Sequence, residues 1–483
     1  MSLKKSVIVV GAGVKGLFIS RELCKAGYLV TILERLRTPG GKIKTLHSQE
    51  NRDGSYAEMG AMRILESNNN TLSLFRELDI KLFPFIEDND EAPFSIKSQH
   101  GINKDLNLGV LMDAGLVEKS DVEKDGIFDR HTSWREVLDA AFDTTDEIIQ
   151  SKDNGNSLRI LEFLSIPGDG SFARRCAKII LDLKLGESGP HNVATVNEYL
   201  KLKKLNSAKS FAVDGGFDNA IFKLLEELTK FKVNMHFNSQ VVSVHYRDQE
   251  NLNVSYKIIG LDEPEIKLKA DAVVFACSSL NKISFYPDLP LPHHDIIYQT
   301  LYGGCTPAVK SVLKFDNCFW QKISNGKLLG GTCWVGPSVV NQIILPSSKC
   351  TDDGYLMVYL MGGSANKWLK YSVEDRIEYS LNAVEDLFPS LKDSIRKHFE
   401  GLFEVAWDEK GSGAYYLFNP ECIRDALTPV GRLVFSPVPR AWINDALIDG
   451  EISISQIKSI LGSKKYTNSK YFTIPDDRID IIS

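Results

Sequence analysis

A glycine-rich loop between two strand-like runs near the amino terminus constrains the fold of this chain more than any other feature. Ser6–Val10 is a β-branched apolar run, as expected for a strand buried in a parallel sheet. The loop GAGVKG follows at residues 11–16, and a helical pattern covers residues 17–26. A second apolar run, Leu29–Leu33, ends at Glu34. This order predicts a complete βαβ unit of the Rossmann type.

Each glycine of the loop has a separate task in a dinucleotide site. Gly11 allows the tight turn after the strand, Gly13 lets a pyrophosphate approach the backbone, and Gly16 lets helix and strand pack closely. The start of the helix then offers N–H groups to the phosphates. Glu34 can accept hydrogen bonds from a ribose, which favours FAD or NAD over NADP. The unit alone leaves FAD and NAD both open.

Composition excludes several other classes of protein. The chain carries 57 Lys+Arg against 63 Asp+Glu, a net charge of −6, and so lacks the basic excess of a general nucleic-acid binder. No apolar run reaches the roughly 20 residues of a membrane-spanning helix. The eight cysteines form no CxxC pair and no cluster with zinc spacing, so we predict no metal site. Without a recognisable secretory signal, we expect a cytoplasmic protein with most thiols reduced.

The rest of the chain alternates between helical and strand-like patterns with no low-complexity linker. The periodicity predicts helices over residues 70–78, 133–141, 145–150, 171–183, 218–229, 373–388 and 444–461. It predicts strands over residues 240–246, 254–259, 272–276, 309–315, 355–360 and 431–435.

Five further segments resemble, in order, segments of the flavin amine oxidases. PGGKIKT at residues 39–45 resembles that family's GGR-x-x-T segment along the flavin diphosphate, with Lys42 in place of arginine. The other four resemble the GG-aromatic turn, the strand that meets the adenine, the VVxAxP strand and the W…GA[YF] stretch beside the isoalloxazine; they lie at residues 213–217, 241–244, 272–276 and 406–415. The chain is therefore identified as similar to flavin-containing amine oxidases, of the L-amino-acid oxidase or monoamine oxidase kind.

The resemblance implies FAD as the cofactor and a set of residues that hold it. Ala414 stands where monoamine oxidases have the cysteine that bonds to the flavin, so the FAD is expected to be non-covalent. Besides Gly11, Gly13, Gly16 and Glu34, the implied cofactor-binding residues are Arg35, Gly40, Gly41, Lys42, Gly60, Ala61, Met62, Arg63, Val242, Trp407, Ala441 and Trp442.

The resemblance also implies an α/β (α+β) fold built from two interleaved parts. One is a Rossmann-like FAD-binding domain of the glutathione reductase type, made from residues 1–80, 205–285 and 401–483. The other is a substrate domain of mixed sheet and helices, made from residues 81–204 and 286–400.

Lys310 is the sharpest candidate for a catalytic residue. VKSVLKFDNCFW at residues 309–320 is similar to the family's K…FW strand, including the ten-residue spacing from Lys310 to Trp320. In that family the lysine holds a water near flavin N5 and is implicated in the reaction with O2. Lys314 lies on the same strand face and matches less well. The alternative is an ordinary solvated lysine.

Tyr415 and Trp442 resemble the two aromatic residues that guide the amine to the flavin in this family. Tyr415 follows the GA turn, and Trp442 lies in AWINDA, which resembles a GW-x-x-GA segment. The resemblance implies catalytic and substrate-binding roles for both. The alternative is that they are two aromatic residues of the core.

Arg63 bears on the kind of substrate. EMGAMRI at residues 58–64 looks like the segment whose arginine binds the substrate carboxylate in amino-acid oxidases, a task that suits a planar guanidinium. The alternative is an arginine bound to the flavin phosphates or to an acid at the surface.

Two segments depart from the family pattern. IILPS at residues 343–347 replaces a YYPS-like segment and lacks the tyrosine that shares the substrate carboxylate. FSPV at residues 435–438 replaces FAGE and lacks the acid that meets the flavin ribityl chain. These departures predict that FAD is bound differently or more weakly, or that the substrate is unusual.

Together the motifs predict an oxidase that passes a hydride from the carbon bearing the amine of an amino acid or amine to flavin N5. The products would be an imine and, after reoxidation of the flavin by O2, H2O2. Two alternatives stay open. The first is an enzyme without carboxylate recognition, either an oxidase of polyamines or monoamines or a biosynthetic flavin oxidoreductase. The second is an FAD-binding accessory protein with little oxidase activity. The expected partners are the small-molecule substrate and O2, without nucleic acid or a transmembrane segment, and a homodimer is left open.

Overall fold

The computed structural model describes most of the chain. It covers residues 4–48, 54–143, 147–151, 158–185, 195–197, 199–200, 209–246, 252–261, 263–278, 280, 282–289, 305–323, 329–348, 353–407, 415–416, 429–436 and 443–462. For residues 185, 305–306, 322–323 and 415–416 it describes the backbone alone.

The described ranges alternate between strands and helices. The strands are β1 (Ser6–Val10), β2 (Leu29–Leu33), β3 (Thr45–His47), β4 (Tyr56–Glu58), β5 (Ile64–Leu65), β6 (Leu82–Pro84), β7 (Pro93–Ile96), β8 (Gln99–Ile102), β9 (Ser210–Val213), β10 (Asn234–His236), β11 (Ser239–His245), β12 (Leu252–Ile258), β13 (Ile266–Ala270), β14 (Ala272–Phe275), β15 (Ser284–Tyr286), β16 (Cys305–Thr306), β17 (Ala308–Phe315), β18 (Gly331–Gly336), β19 (Gln342–Leu345), β20 (Gly354–Met361), β21 (Phe399–Trp407), β22 (Tyr415–Tyr416) and β23 (Leu433–Phe435).

The α-helices are α1 (Val14–Lys25), α2 (Asn69–Glu77), α3 (Leu108–Asp113), α4 (Lys119–Asp125), α5 (Trp134–Ala141), α6 (Glu147–Ser151), α7 (Ile160–Leu164), α8 (Ser171–Leu185), α9 (Asp218–Lys230), α10 (Phe319–Ile323), α11 (Gly362–Trp368), α12 (Val373–Leu387), α13 (Lys392–His398) and α14 (Ile443–Ile460). Short 3₁₀ turns occupy Asn103–Asp105 and Pro389–Leu391. Among the helices of the described ranges, none is long and apolar enough to cross a bilayer.

A parallel sheet of order β10-β2-β1-β14-β23 forms the centre of the predicted cofactor domain. Its middle strand is buried because apolar residues cover both faces. Helices α1, α9 and α14 pack on one face, and the sheet β13-β12-β11-β15 covers the other. The result is a three-layer arrangement of helices, parallel sheet and a second, largely antiparallel sheet, as the predicted Rossmann-like fold requires.

A seven-stranded sheet of order β21-β17-β20-β19-β18-β7-β8 forms the second part of the molecule. One apolar core lies between this sheet and helices α11 to α13. A further core packs helices α3 to α8 together, and the rings of Trp134 and Trp334, 4.8 Å apart, join it to strand β18. The predicted α/β class with a mixed sheet and a helical part is confirmed, whereas the predicted domain boundaries stay a prediction.

Most predicted elements lie within two residues of the observed ones. The helix predicted over 133–141 begins at Trp134 because Ser133 and Glu136 form a reciprocal capping box. The strand predicted over 431–435 is shorter, Leu433–Phe435, because Val430 and Leu433 pair their backbones across a tight turn.

The described cysteines include free thiols and one member of a disulfide. Cys24, Cys176, Cys277 and Cys333 are free. Cys318, in contrast, is disulfide-bonded.

Asn444, at the start of α14, fixes the start of α2 from across the core. Its buried side-chain oxygen accepts hydrogen bonds from the backbone N–H groups of Asn70 at 3.0 Å and Thr71 at 3.2 Å. These N–H groups belong to the first turn of α2, where no carbonyl of the same helix is available to them.

We therefore expect Asn444→Ala to lower the free energy of unfolding by about 2 kcal/mol, because it leaves two buried donors without this acceptor. Asn444→Asp keeps an acceptor oxygen at a helix start and should lose less. Urea denaturation of the wild type and both variants provides the measurement. Equal losses in the two variants would contradict a capping role.

Candidate functional site

Two of the predicted phosphate-binding loops lie against each other. The backbone of Gly13 pairs with that of Gly40 in an isolated parallel bridge, and the Gly40 N–H donates to the Ala12 carbonyl at 2.9 Å. Gly41 has a φ of +59°, and a Cβ added there would approach Gly13 Cα to 3.2 Å. Glycine at residue 41 therefore lets the second loop pack onto the first, and glycine at residue 40 avoids a contact of 2.6 Å between an added Cβ and the Ile43 carbonyl oxygen.

The three glycines of the first loop differ in what surrounds them. A Cβ on Gly16 would lie 1.9 Å from the Gly11 carbonyl oxygen, so the helix could not pack this closely against the end of the strand. Gly11 has a φ of +109°, which residues with a side chain rarely adopt. Gly13 has an ordinary extended conformation, and the nearest atoms to an added Cβ are 3.9 Å away. The chain itself therefore does not require glycine at residue 13, whereas a pyrophosphate placed against the backbone would.

Glu34 lies beside this loop at the end of β2. Its buried carboxylate accepts from the Ala12 N–H at 2.6 Å and from the Leu36 N–H at 2.8 Å, one bond to each oxygen. A carboxylate offers about four lone-pair positions, so capacity for ribose hydroxyls is left. Loop and acid together fit the adenosine diphosphate half of FAD. The neighbouring Arg35 is exposed.

Lys42 and the segment from Gly60 to Arg63 lie next to each other. The Ala61 N–H donates to the Lys42 carbonyl at 3.0 Å, and the Met59 N–H donates to the Lys44 carbonyl at 2.8 Å. A Cβ on Gly60 would lie 2.0 Å from the Lys42 carbonyl oxygen, so this pairing requires glycine. Met62 and Arg63 follow directly and are half-buried.

The remaining predicted cofactor residues are spread over other elements. Val242 is the extra residue of a bulge in β11, because Val241 faces Tyr256 while Ser243 faces the next residue, Ser255. A bulge of this kind leaves a peptide group outside the regular ladder, as a backbone contact to adenine would need. Trp407 ends β21, where its backbone is in register with Ala308.

The predicted aromatic pair lies largely outside what the structure describes. The backbone of Tyr415 forms β22, which pairs with β16, and its side chain lies outside the described residues. Ala414, Ala441 and Trp442 lie outside them altogether. The pairing of Tyr415 with Trp442 in front of the flavin therefore stays a prediction.

Lys310 is buried on β17, between β21 and β20 of the seven-stranded sheet, with 3% of its surface exposed. Its Nζ donates to the carbonyl oxygens of Gly60 at 2.6 Å and Glu58 at 3.1 Å. The same nitrogen lies 5.3 Å from the centre of the Tyr359 ring. The structure thus brings the predicted catalytic lysine to the predicted cofactor segment that begins at Gly60.

Burial sets the protonation of this lysine. It lowers the pKa of the Lys310 ammonium well below the ordinary lysine value, the Glu58 carboxylate opposes this shift, and the Arg63 charge adds to it. Burial also raises the pKa of the Glu58 carboxyl, although the Phe217 N–H and the Thr45 hydroxyl donate to it. Each group can therefore take up or release a proton closer to neutral pH than it would in water.

The competing lysine of the same strand has a different environment. Lys314 pairs with Asp353 at 2.9 Å and Glu400 at 2.8 Å, and these carboxylates raise its pKa. Lys314 therefore matches the alternative of an ordinary solvated lysine. That alternative does not describe Lys310.

Arg63 forms an ion pair with Glu87, whose carboxylate accepts from Nη1. Burial lowers the pKa of Arg63, and Tyr359 and Asp88 oppose this shift through their charges. An arginine keeps its charge at neutral pH in any case. The predicted carboxylate-binding arginine thus contacts a carboxylate of the chain itself.

Sequence reasoning missed four residues of this site: Glu58, Glu87, Tyr359 and Gln342, whose amide donates to the Tyr359 carbonyl at 3.2 Å. Glu87 belongs to the acidic run EDNDE, in which no pattern distinguishes it from its neighbours. Tyr359 supplies a phenol near Arg63 although residues 343–347 hold no tyrosine. Within the described residues, no three His, Cys, Asp or Glu side chains are placed to hold a metal ion.

A family model described as flavin containing amine oxidoreductase matches residues 16–437 of this chain. The chain belongs to the flavin-containing amine oxidoreductase family. The predicted family, the predicted oxidoreductase class and the predicted flavin cofactor, FAD, are thereby confirmed.

Curated relatives resemble the chain over most of its length. It is 26% identical over 464 residues to an L-amino-acid oxidase of Naja atra, covering 92% of this chain and 86% of that protein. It is 25% identical over 462 residues to L-amino acid oxidase Cdc18 of Crotalus durissus cumanensis, covering 92% and 88%.

Solved structures show the same fold at lower identity. Wild-type putrescine oxidase bound to putrescine has a TM-score of 0.66 and 19% identity, over 95% of this chain and 99% of that one. Cyclohexylamine oxidase from Brevibacterium oxydans IH-35A has a TM-score of 0.66 and 18% identity, over 95% and 100%. The relatives thus include oxidases named for an amino acid and oxidases named for an amine.

The surroundings of Gly13 and Gly16 predict different outcomes for the same substitution. Gly13→Ala should leave the melting temperature of the apoprotein unchanged, because the added methyl meets no chain atom closer than 3.9 Å. It should weaken FAD binding by at least about tenfold, because the methyl occupies the place of a phosphate. Gly16→Ala should reduce the yield of folded protein instead.

The measurements are thermal denaturation of the deflavinated proteins and FAD titration followed by protein fluorescence. If Gly13→Ala binds FAD as tightly as the wild type, the phosphate does not lie at this residue.

Proposed function

We propose that this protein is an FAD-dependent oxidase of the CH–NH2 group of an amine or amino acid. When bound, FAD would supply the two-electron oxidation of the carbon that bears the amine, with O2 as the final acceptor of both electrons and H2O2 as its product. The resulting imine hydrolyses in water. The observation that carries the proposal is the buried Lys310, hydrogen-bonded to the Gly60 carbonyl of the segment that packs against Lys42.

Lys310 holds a proton at Nζ under conditions that favour its release. Two carbonyl oxygens fix the nitrogen, and burial lowers its pKa. The side-chain amine of a lysine in this environment can orient a water molecule and can give or take a proton near neutral pH. Tyr359 closes one side of the nitrogen with its ring, which keeps bulk water away from that side.

Arg63 and Tyr359 supply the polar groups that meet the substrate. Both lie close to Lys310, and the charge of Arg63 contributes to the lowered pKa of that lysine.

Several finer features belong to the same proposal. Ala414 offers no thiol for a bond to the flavin, which supports non-covalent FAD. A cytoplasmic location and a homodimer complete it; cell fractionation and light scattering of the purified protein test these two.

Anaerobic reduction of the flavin tests the proposed function. We expect at least one member of a panel of amines and L-amino acids to bleach the flavin absorbance without O2, and to release H2O2 when air is admitted. A protein that binds FAD but is bleached by no member of the panel would instead be an accessory protein, a reading that the altered segment at residues 435–438 motivates.

Lys310→Met should slow reoxidation of the reduced flavin by about a hundredfold, because it removes the group that can hold and move a proton. Lys314→Met is the matched control: it changes the same residue type on the same strand, where the lysine pairs with two acids instead. Stopped-flow mixing of the reduced proteins with O2 gives the rates. Equal rates of flavin reoxidation in both variants would show that Lys310 takes no part in the reaction with O2.

A further inference from the structure

The strongest observation that the proposed function leaves unused is the ion pair between Arg63 and Glu87. It lies within the site: Arg63 follows Gly60 by three residues, and the Gly60 carbonyl accepts from Lys310. The side chains are 15% and 30% exposed, so the pair is largely shielded from water without being sealed. A charge pair in such a place affects any charged group that enters beside it.

The backbone around Glu87 is held firmly, which makes the pair a property of the fold. The Glu87 carbonyl accepts from the Thr332 N–H on β18 at 2.9 Å, and the Ile86 N–H donates to the Ser347 hydroxyl at 2.9 Å. Two residues later, the Asn89 amide donates to the Gly330 carbonyl at 2.9 Å. The segment is thus tied to the seven-stranded sheet on both sides of the carboxylate.

The neighbouring acids of the same run have other partners. Asp88 pairs with Lys184 at 3.5 Å, Asp90 accepts from Arg135 at 2.8 Å, and Glu91 pairs with Lys104 at 2.8 Å. Glu87 forms an ion pair with Arg63, and the charge of Asp88 acts on the same arginine. An acid so placed neutralises the charge that would otherwise attract a substrate carboxylate.

We propose that Glu87 is a specificity-determining residue that favours amines without a carboxylate over the corresponding amino acids. The inference rests on the proposed oxidase function and narrows its substrate class. A carboxylate beside the amine would have to displace Glu87 from Arg63 and would leave two carboxylates competing for one guanidinium. An amine that lacks the carboxylate meets a site whose charges are already balanced. Specificity of this kind arises from a repulsive element rather than from an added attraction.

The test compares substrates that differ only in the carboxylate. The pairs are phenylalanine with phenethylamine, leucine with isopentylamine, and lysine with cadaverine. For the holoenzyme, the ratio of flavin reduction rate to dissociation constant is measured anaerobically for both members of a pair. We expect the wild type to favour the amine, and Glu87→Gln to shift the ratio toward the amino acid by about tenfold.

Glu91→Gln is the matched control, since it makes the same chemical change four residues away on an acid that is 63% exposed and pairs with Lys104. It should leave the ratio unchanged. Glu87→Asp keeps the charge and should keep the preference for the amine. If Glu87→Gln melts earlier or loses FAD, the substrate ratio of Glu87→Asp is compared with that of the wild type instead.

A binding measurement gives a second readout that does not depend on turnover. Calorimetric titration of the holoenzyme with benzoate should show about tenfold tighter binding to Glu87→Gln than to the wild type. Adding Arg63→Met to Glu87→Gln should abolish the gain. If no amine or amino acid bleaches the wild-type flavin, the proposed oxidase fails, whereas this titration still reports on the pair. An unchanged substrate ratio and unchanged benzoate affinity in Glu87→Gln would overturn the inference.

Discussion

The hydrogen bonds from Lys310 to the carbonyls of Glu58 and Gly60 are the contact on which the site depends. They join β17, the strand next to the edge strand β21 of the seven-stranded sheet, to the segment that packs on Lys42 and leads to Arg63. A buried ammonium is costly unless it is paired, so the two carbonyls must stay where they are. The lysine to which we assign a proton-transfer role in the proposed function therefore also links β17 to the segment at residues 58–60.

The sequence was most informative where geometry is local. The βαβ unit could be predicted because the glycines and Glu34 act within some twenty residues of one another, and the structure places Glu34 against Ala12 as that reasoning requires. Helix boundaries were predictable for the same reason, as the capping box at Ser133 shows. Lys310 was found only through its resemblance to a family strand, because periodicity does not distinguish it from Lys314.

The contacts that sequence reasoning missed join segments that are distant along the chain. Glu58 and Lys310 are separated by 252 positions, and nothing local to either residue indicates the other. Arg63 and Glu87 are closer, but the acidic run around Glu87 offers several equivalent candidates. The contact was decided by the packing of that run on β18, a tertiary effect that no pattern in the run itself encodes. The aromatic pair of Tyr415 and Trp442 and the domain boundaries remain predictions.

The strand order of the cofactor sheet has a consequence for how the protein is made. Its neighbouring strands β1, β14 and β23 begin at residues 6, 272 and 433, so the edge strand β23 is synthesised long after the strands that it joins. Until then β14 has an unpaired edge, and α14 is not yet present to cover α1. Sheets assembled from such distant segments form slowly and expose apolar surface while they wait. The nascent chain thus carries an incomplete nucleotide fold until β23 and α14 have been made.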